Sequence, residues 1–399
     1  MMARRTLVAC SFNIRLTAIG VSLMVLVIAP LVLVGGGANA VPLNSNGGHA
    51  SASWNRTAAA AYLDQRTNRW ILNMGAIDHG AFCISCHTAL PYALARSSLH
   101  TALGEHGPSP VEQKLLESVK KRVRLWTQVQ PFLNEPTRSR GTESVLNALV
   151  LVTYEPRNDV LSDDAQRALS IMWAQQLKSG ANAGAWNWFN FDNEPWESPD
   201  SQYWGATLAV VVVGTLPKVY RSSTDIQENI KLLIAYLQRD WNEQSLFNRL
   251  SLLRASEKLP GLLSLEQKTS IVKDALTRQH QDGGWSPADL APPNWKRHDG
   301  TPQETESDGY ATAFVTYVIE QSGIISASGA MNEARRWLIR NQNQASGSWP
   351  AQSWNVKRDP ASDVGMFMSD AATAYAVLAL SDGPGRRLDN KRYSSRLSR

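Results

Sequence analysis

The sequence predicts an all-α protein: a single (α/α)6 toroid, six helical hairpins set as an inner ring and an outer ring. Three observations carry this expectation. A helix rich in Trp and Gln, a turn of Gly plus an aromatic residue, a variable loop and an apolar helix recur along most of the chain, the signature of a repeat architecture. The apolar helices are hydrophobic nearly all round and must be buried, whereas their partners carry charged faces and belong outside. Alternating β-branched runs of strand length do not occur, so no sheet competes for the core.

The chain begins with Arg4, Arg5 and Arg15 around the start of an apolar run, Leu16 to Val34, closed by Ala38-Asn39-Ala40. This reads as a signal peptide over 1–40, cleaved after Ala40, and predicts an exported, periplasmic protein. Left uncleaved, the same run is nearly long enough to anchor the chain in a bilayer. Residues 41–53 read as a linker and 54–382 as the toroid. Its clearest copies are Arg278–Trp285 followed by Glu306–Phe314, and Asn341–Trp349 followed by Ser369–Leu378. An earlier copy runs from Trp173 through Gly184-Ala185-Trp186 to Asp200–Leu208. Two copies show only the apolar helix, near Glu143–Leu149 and Asn248–Leu253. The first copy passes from a helix closed by Trp70, through Gly80-Ala81-Phe82, to the apolar helix Thr88–Leu94.

Residues 383–399 read as a basic, disordered tail of net +5, equal to the formal charge of the whole chain; with the three signal arginines also set aside, the folded body stands near −3. Binding to nucleic acid by a basic body is therefore not expected. The tail, or an uncleaved signal, offers weak attraction to an anionic membrane surface.

Within the first copy lies Cys83-Ile84-Ser85-Cys86-His87. Once Cys10 leaves with the signal, these are the only two thiols, too few for a disulfide-stapled fold. Zinc would need further ligands at suitable spacing, and a thioredoxin-like dithiol belongs to a βαβ setting. The pattern is that of covalent attachment of one haem c, with Cys83 and Cys86 on the vinyl groups and His87 as axial iron ligand.

The turn Gln279–Trp285, with looser versions from Gln342 to Trp349 and from Gln176 to Trp186, resembles the Gln/Trp repeat of squalene-hopene cyclases. That family shares its toroid with oxidosqualene cyclases and protein prenyltransferase β subunits. The resemblance implies that the Gln amides cap helix ends, stack on the Trp and tie neighbouring outer helices together. It does not imply the activity. The Asp-x-Asp-Asp acid is missing: Ser162-Asp163-Asp164-Ala165 opens an outer helix, and the prenyltransferase zinc ligands are absent too. Fold carries over where chemistry does not.

If all inner helices run the same way, their N-termini gather at one mouth. Cys83, Cys86 and His87 would meet Arg140, Glu143, Gln202, Arg249, Glu306 and Ser369 there, together with Asp200, Asp308 and Asp370. Those three acids fit helix N-caps and, in an apolar cavity, catalytic proton donors. Met366 or Met368 would lie near the haem as sixth ligand, with His298, His79 and His100 as rivals. The leading expectation is an exported mono-haem c protein that passes electrons to a redox partner protein or runs haem-assisted chemistry on an apolar, isoprenoid-like molecule. Two other readings stay open. One is a non-haem isoprenoid cyclase relative using an inner-helix Asp, with Cys83 and Cys86 joined as a disulfide. The other is an apolar-ligand or carbohydrate toroid in which Trp186, Trp188, Trp196 and Trp204 stack on sugars, though no pair of catalytic carboxylates stands out in the sequence.

Overall fold

The structure, a computed structural model, describes residues 53–132, 135–156, 160–292 and 295–381. The expected signal, nearly all of the linker and the basic tail lie outside these residues. Within them the chain is a ring of six hairpins. The outer helices are α1 (Arg56–Ile71), α3 (Pro110–Arg124), α5 (Asp163–Gln175), α7 (Thr224–Arg239), α9 (Leu265–Thr277) and α11 (Ser328–Asn341). The inner helices are α2 (Ala89–Ala95), α4 (Pro136–Tyr154), α6 (Ser201–Thr215), α8 (Leu246–Ser256), α10 (Gly309–Ser322) and α12 (Phe367–Ser381). No described helix is long and apolar enough to cross a membrane.

The two rings differ as their sequences require. Helix α6 reads Ser-Gln-Tyr-Trp-Gly-Ala-Thr-Leu-Ala-Val-Val-Val-Val-Gly-Thr, and all but one of the residues from Ser201 to Val213 are buried. Its β-branched run would be a poor free-standing helix. Burial of each Val at about 1.5–3 kcal/mol overrides that weakness. Helix α7 instead buries a single stripe, Ile226, Ile230, Leu233 and Leu237, the spacing of one helical face. Four of the six outer helices, α1, α3, α5 and α9, start on side-chain caps. Ser109 and Ser264 form capping boxes with Glu112 and Gln267, and Ser162 caps α5, each cap worth about 1 kcal/mol.

Consecutive inner helices pack on one another, and α12 packs on α2, which closes the ring. One device, used three times, locks the outer ring. Gln176 Nε2 donates to Gly184 O in its own turn and to Asn229 O of α7. Gln279 does the same to Gly283 O and Ala330 O of α11. Gln342 does so to Gly347 O and to Asn55 O at the start of α1. Each turn then buries a Trp whose indole N–H returns to the preceding outer helix: Trp186 to Met172 O, Trp285 to Ala275 O, Trp349 to Leu338 O. The turn glycine must be Gly. At Gly347 φ is +79° and a Cβ would stand 2.1 Å from the Ala58 carbonyl carbon.

One local element escapes the sequence reading. Gly80-Ala81-Phe82 is not a bare turn but half of a two-stranded hairpin, β1 (Ile77–Asp78) against β2 (Ala81–Phe82), paired Ile77 to Phe82 and Asp78 to Ala81. His79 and Gly80 turn it at positive φ, the geometry of a tight two-residue hairpin turn. Two-residue strands are too short to show alternation. Cys83 follows directly, its N–H bonded to Ala76 O at 2.8 Å.

Candidate functional site

The inner-helix N-termini do share one mouth, and the segment from Cys83 to Thr88 is packed into it. Thr88 Oγ1 donates to Asp370 Oδ2 at 2.7 Å and therefore accepts from His87 Nδ1 at 2.9 Å. This places the ring proton on Nδ1 and leaves Nε2 with the lone pair. Asp370 also accepts from Tyr62 at 2.9 Å and from Arg66 Nε at 2.8 Å. Burial raises the Asp370 carboxyl, with Arg66 opposing. Burial, then the Arg66 and Arg358 charges, push His87 down to about 3. The imidazole is neutral at any ordinary pH.

The expectation of haem c is corrected by this packing. The His87 ring lies flat on Phe367, centroids 3.5 Å apart, with the Trp70 ring at 5.2 Å and Trp196 at 6.4 Å. Cys83 and Cys86 are unbonded thiols, 2% and 1% exposed. Burial raises both, with Glu143 adding at Cys83 and Glu197 at Cys86. A porphyrin reaching both sulfurs and the imidazole would have to displace Phe367 and the thiol–carboxylate contacts. Among the described residues no group of three or more His, Cys, Asp or Glu is arranged to hold a metal ion. The iron, cytochrome and electron-transfer expectations fall with the haem. So does a sixth ligand from Met366 or Met368. They flank Phe367, and it is Phe367 that faces His87. His79 bonds Asp78, His100 bonds Glu112 and His298 bonds Glu194. The disulfide of the second reading is likewise not formed.

The other mouth residues separate by role. Glu143 is buried in a two-bond pair with Arg122, 2.6 and 3.0 Å, and accepts from Ser139; neither Arg122 nor Ser139 was singled out in the sequence. Arg249 pairs with Asp274 of α9. Asp308 is a true cap: Oδ1 accepts from Ala311 N at 2.8 Å and Oδ2 from Gln352 N at 3.1 Å. Burial nevertheless pushes its carboxyl up to about 7. Asp370 lies inside α12 and fastens hairpin 6 to hairpin 1. Asp200 precedes α6 but makes no side-chain cap bond. Of the three predicted acids only this one faces a groove.

That groove has two parts that share Asp200, Ser245 and Pro292. An inner slot of about 20 Å³ is walled by Glu194, Phe247, Asn248, Trp295 and Trp354 among others. It opens to an outer hollow of about 440 Å³ bordered by Gln202, Tyr203, Tyr236 and Gln244. The slot admits one water-sized group. Glu194 is held by His298 Nε2 at 3.0 and 3.1 Å, and partial burial raises the Asp200 carboxyl. Trp354 is 2% exposed and its indole N–H has no partner among the described residues. The tryptophans expected to stack on sugars, Trp186, Trp188, Trp196 and Trp204, are instead buried in the core. The indoles that line the groove are Trp295, half-buried, and Trp354, as buried as those four. Nothing local joins the two in sequence, because the groove is assembled from separate loops and helix starts.

No protein-family model and no curated protein matches the sequence. Among solved structures, one described as a polysaccharide lyase matches at 13% identity and TM-score 0.48, covering 82% of this chain and 99% of the other. An unsaturated glucuronyl hydrolase responsible for the degradation of glycosaminoglycan, from Bacillus sp. GL1, matches at 11% identity and TM-score 0.48, covering 82% and 97%. A wild-type glycosidase matches at 13% identity and TM-score 0.27, covering 82% and 98%. None of the three is described as a squalene-hopene cyclase, and the resemblance drawn from the Gln and Trp turns is corrected: here the turns fasten neighbouring outer helices of the ring.

Proposed function

We propose that the protein is a carbohydrate-binding toroid whose groove at the inner-helix N-terminal mouth takes an oligosaccharide. The observation that carries this reading is the composition of the groove: two carboxylates, Glu194 and Asp200, beside the half-buried indole of Trp295, with the unanswered N–H donor of the buried Trp354 at the inner slot. Sugars need this combination. Their C–H faces pack on indole rings and their hydroxyls need convergent donors and acceptors. Asn248, Gln202 and Gln244 extend the polar set along the outer hollow.

Bond cleavage in the same groove is a second reading, favoured by the raised Asp200 carboxyl. A carboxyl with raised proton affinity suits protonation of a leaving glycosidic oxygen, while the second carboxylate, here Glu194, would take a proton from a water that attacks the anomeric carbon from the opposite face. Isothermal titration calorimetry with neutral and uronate-bearing oligosaccharides tests both. Saturable binding is expected for at least one of them, weakened about tenfold or more in Trp295→Ala and weakened in Trp354→Phe, which removes the N–H. Asp200→Asn is expected to keep binding and to lose product formation, which would be followed by reducing ends. Absence of saturable heat across the panel would sink the binding reading; turnover by Asp200→Asn would sink the cleavage reading alone.

A further inference from the structure

At the opposite end of the ring the inner helices converge on a second cavity, of about 550 Å³, to which every inner helix contributes: Leu94, Val152, Val211, Arg254, Tyr317 and Leu378, from α2, α4, α6, α8, α10 and α12 in turn. It is the axial hollow of the toroid, open at the inner-helix C-termini, and it shares no residue with the groove above. Its volume is that of a small-molecule site.

Arg254 is the unusual member. It is 8% exposed and lies 5.6 Å from the centre of the Tyr317 ring; burial works against its charge, and Tyr317 and Tyr375 beside it turn the balance upward. Among the described residues no carboxylate stands within 4 Å of it. Every other arginine buried to this degree has one: Arg66 has Asp370 and Asp363, Arg96 has Asp64 and Glu105, Arg122 has Glu143, Arg297 has Glu304. A desolvated guanidinium without a counter-charge is costly. Arg254 also answers the negative ends of the inner helices, but a guanidinium that did only this would need no cavity in front of it. Among the described lining residues the carboxylate is Glu155, which is bonded to the Ser162 hydroxyl and N–H.

We infer that this axial cavity binds a small polar molecule through an oxyanion head, carboxylate or phosphate, seated on Arg254. A planar fork suits either head, and Ser98 and Thr215 offer hydroxyls for the body of the ligand. The experiment titrates the full chain with glucuronate, glucose 6-phosphate and glucose by calorimetry. Saturable binding is expected for one or both charged sugars, which also identifies the head, and not for glucose. Arg254→Gln should weaken it by about thirtyfold or more. Thr215→Trp, which fills the hollow and leaves the cation in place, should abolish it, and serves alone if Arg254→Gln does not fold by circular dichroism. Trp295→Ala, in the groove, should leave it unchanged, so failure here is distinguishable from failure there. Binding of neither charged sugar, equal binding of glucose, or binding retained in Thr215→Trp would overturn the inference.

Discussion

His87 and Asp308 sit at the same mouth, and burial displaces their proton affinities in opposite senses. In the unfolded chain they titrate near the ordinary values of 6.5 and 3.8; folded, His87 falls to about 3 and Asp308 rises to about 7. A depressed histidine contributes stability above 6.5 that is lost as pH falls towards 3. A raised carboxyl contributes stability below 3.8 that is lost as pH climbs through 7. Between roughly pH 4 and 6.5 the folded state carries its proton on Asp308 and the unfolded state on His87, so the two effects cancel. Single substitutions should uncover them. Relative to wild type, Asp308→Asn is expected to add a loss of stability on acidification through this window, about 1.4 kcal/mol per pH unit at most. His87→Gln should add the opposite slope. Urea melts at half-unit pH steps measure both, and parallel profiles for all three proteins would refute the assignment.

Among the elements, the Gln–Gly–Trp turn does the most for the least chain. Gln342 is buried, donates twice and accepts from Asn55 N at 2.6 Å, and it joins the last outer helix to the first. Gln342→Ala leaves those backbone groups unanswered and should cost roughly 2–4 kcal/mol in urea unfolding. Gly347→Ala combines positive φ with a 2.1 Å approach to α1 and should cost at least as much. Gly104→Ala has positive φ but nothing within 4 Å of a Cβ, so it should cost only the backbone strain, about 1 kcal/mol. Equal losses at the two glycines would show that the close approach is unimportant. These turns were visible in the sequence because Gln, Gly and Trp recur in fixed order. The hairpin that delivers Cys83 was not, since its pairing rests on two residues a side.

For the molecule as a whole, closure of the ring is fastened between α12 and α1 by a buried polar junction. Asp370 of α12 holds Tyr62 and Arg66 of α1 and Thr88 beside α2. Asp370→Ala removes the buried acceptor shared by Tyr62, Thr88 and Arg66 Nε, while Asp363 still holds the rest of the guanidinium, and should cost roughly 2–4 kcal/mol. Hydrogen exchange should locate the loss. Amides of α2 and α12 are expected to lose protection together, while α6 and α8, across the ring, keep theirs. Uniform loss in all six inner helices would mean instead that the ring opens only as a unit.

The all-α ring was legible before any coordinates because its causes are local and repeated. Apolar positions on every side of a segment force it inward, and a single stripe keeps its partner outside. Asp308 as a cap could be read in the same way. The site could not. Cys83-Ile84-Ser85-Cys86-His87 carries the spacing of a haem motif, yet what surrounds it comes from far along the chain. Phe367 covers the imidazole, Asp370 and Thr88 orient it, and Glu143 and Glu197 face the thiols. Likewise Trp295 and Trp354 become groove residues, and Arg254 the floor of an axial cavity, through ring closure. Spacing in sequence says which groups are at hand. Whether a ligand, a neighbouring ring or a carboxylate meets them is settled by packing between residues hundreds of positions apart, and short patterns hold no information about that packing.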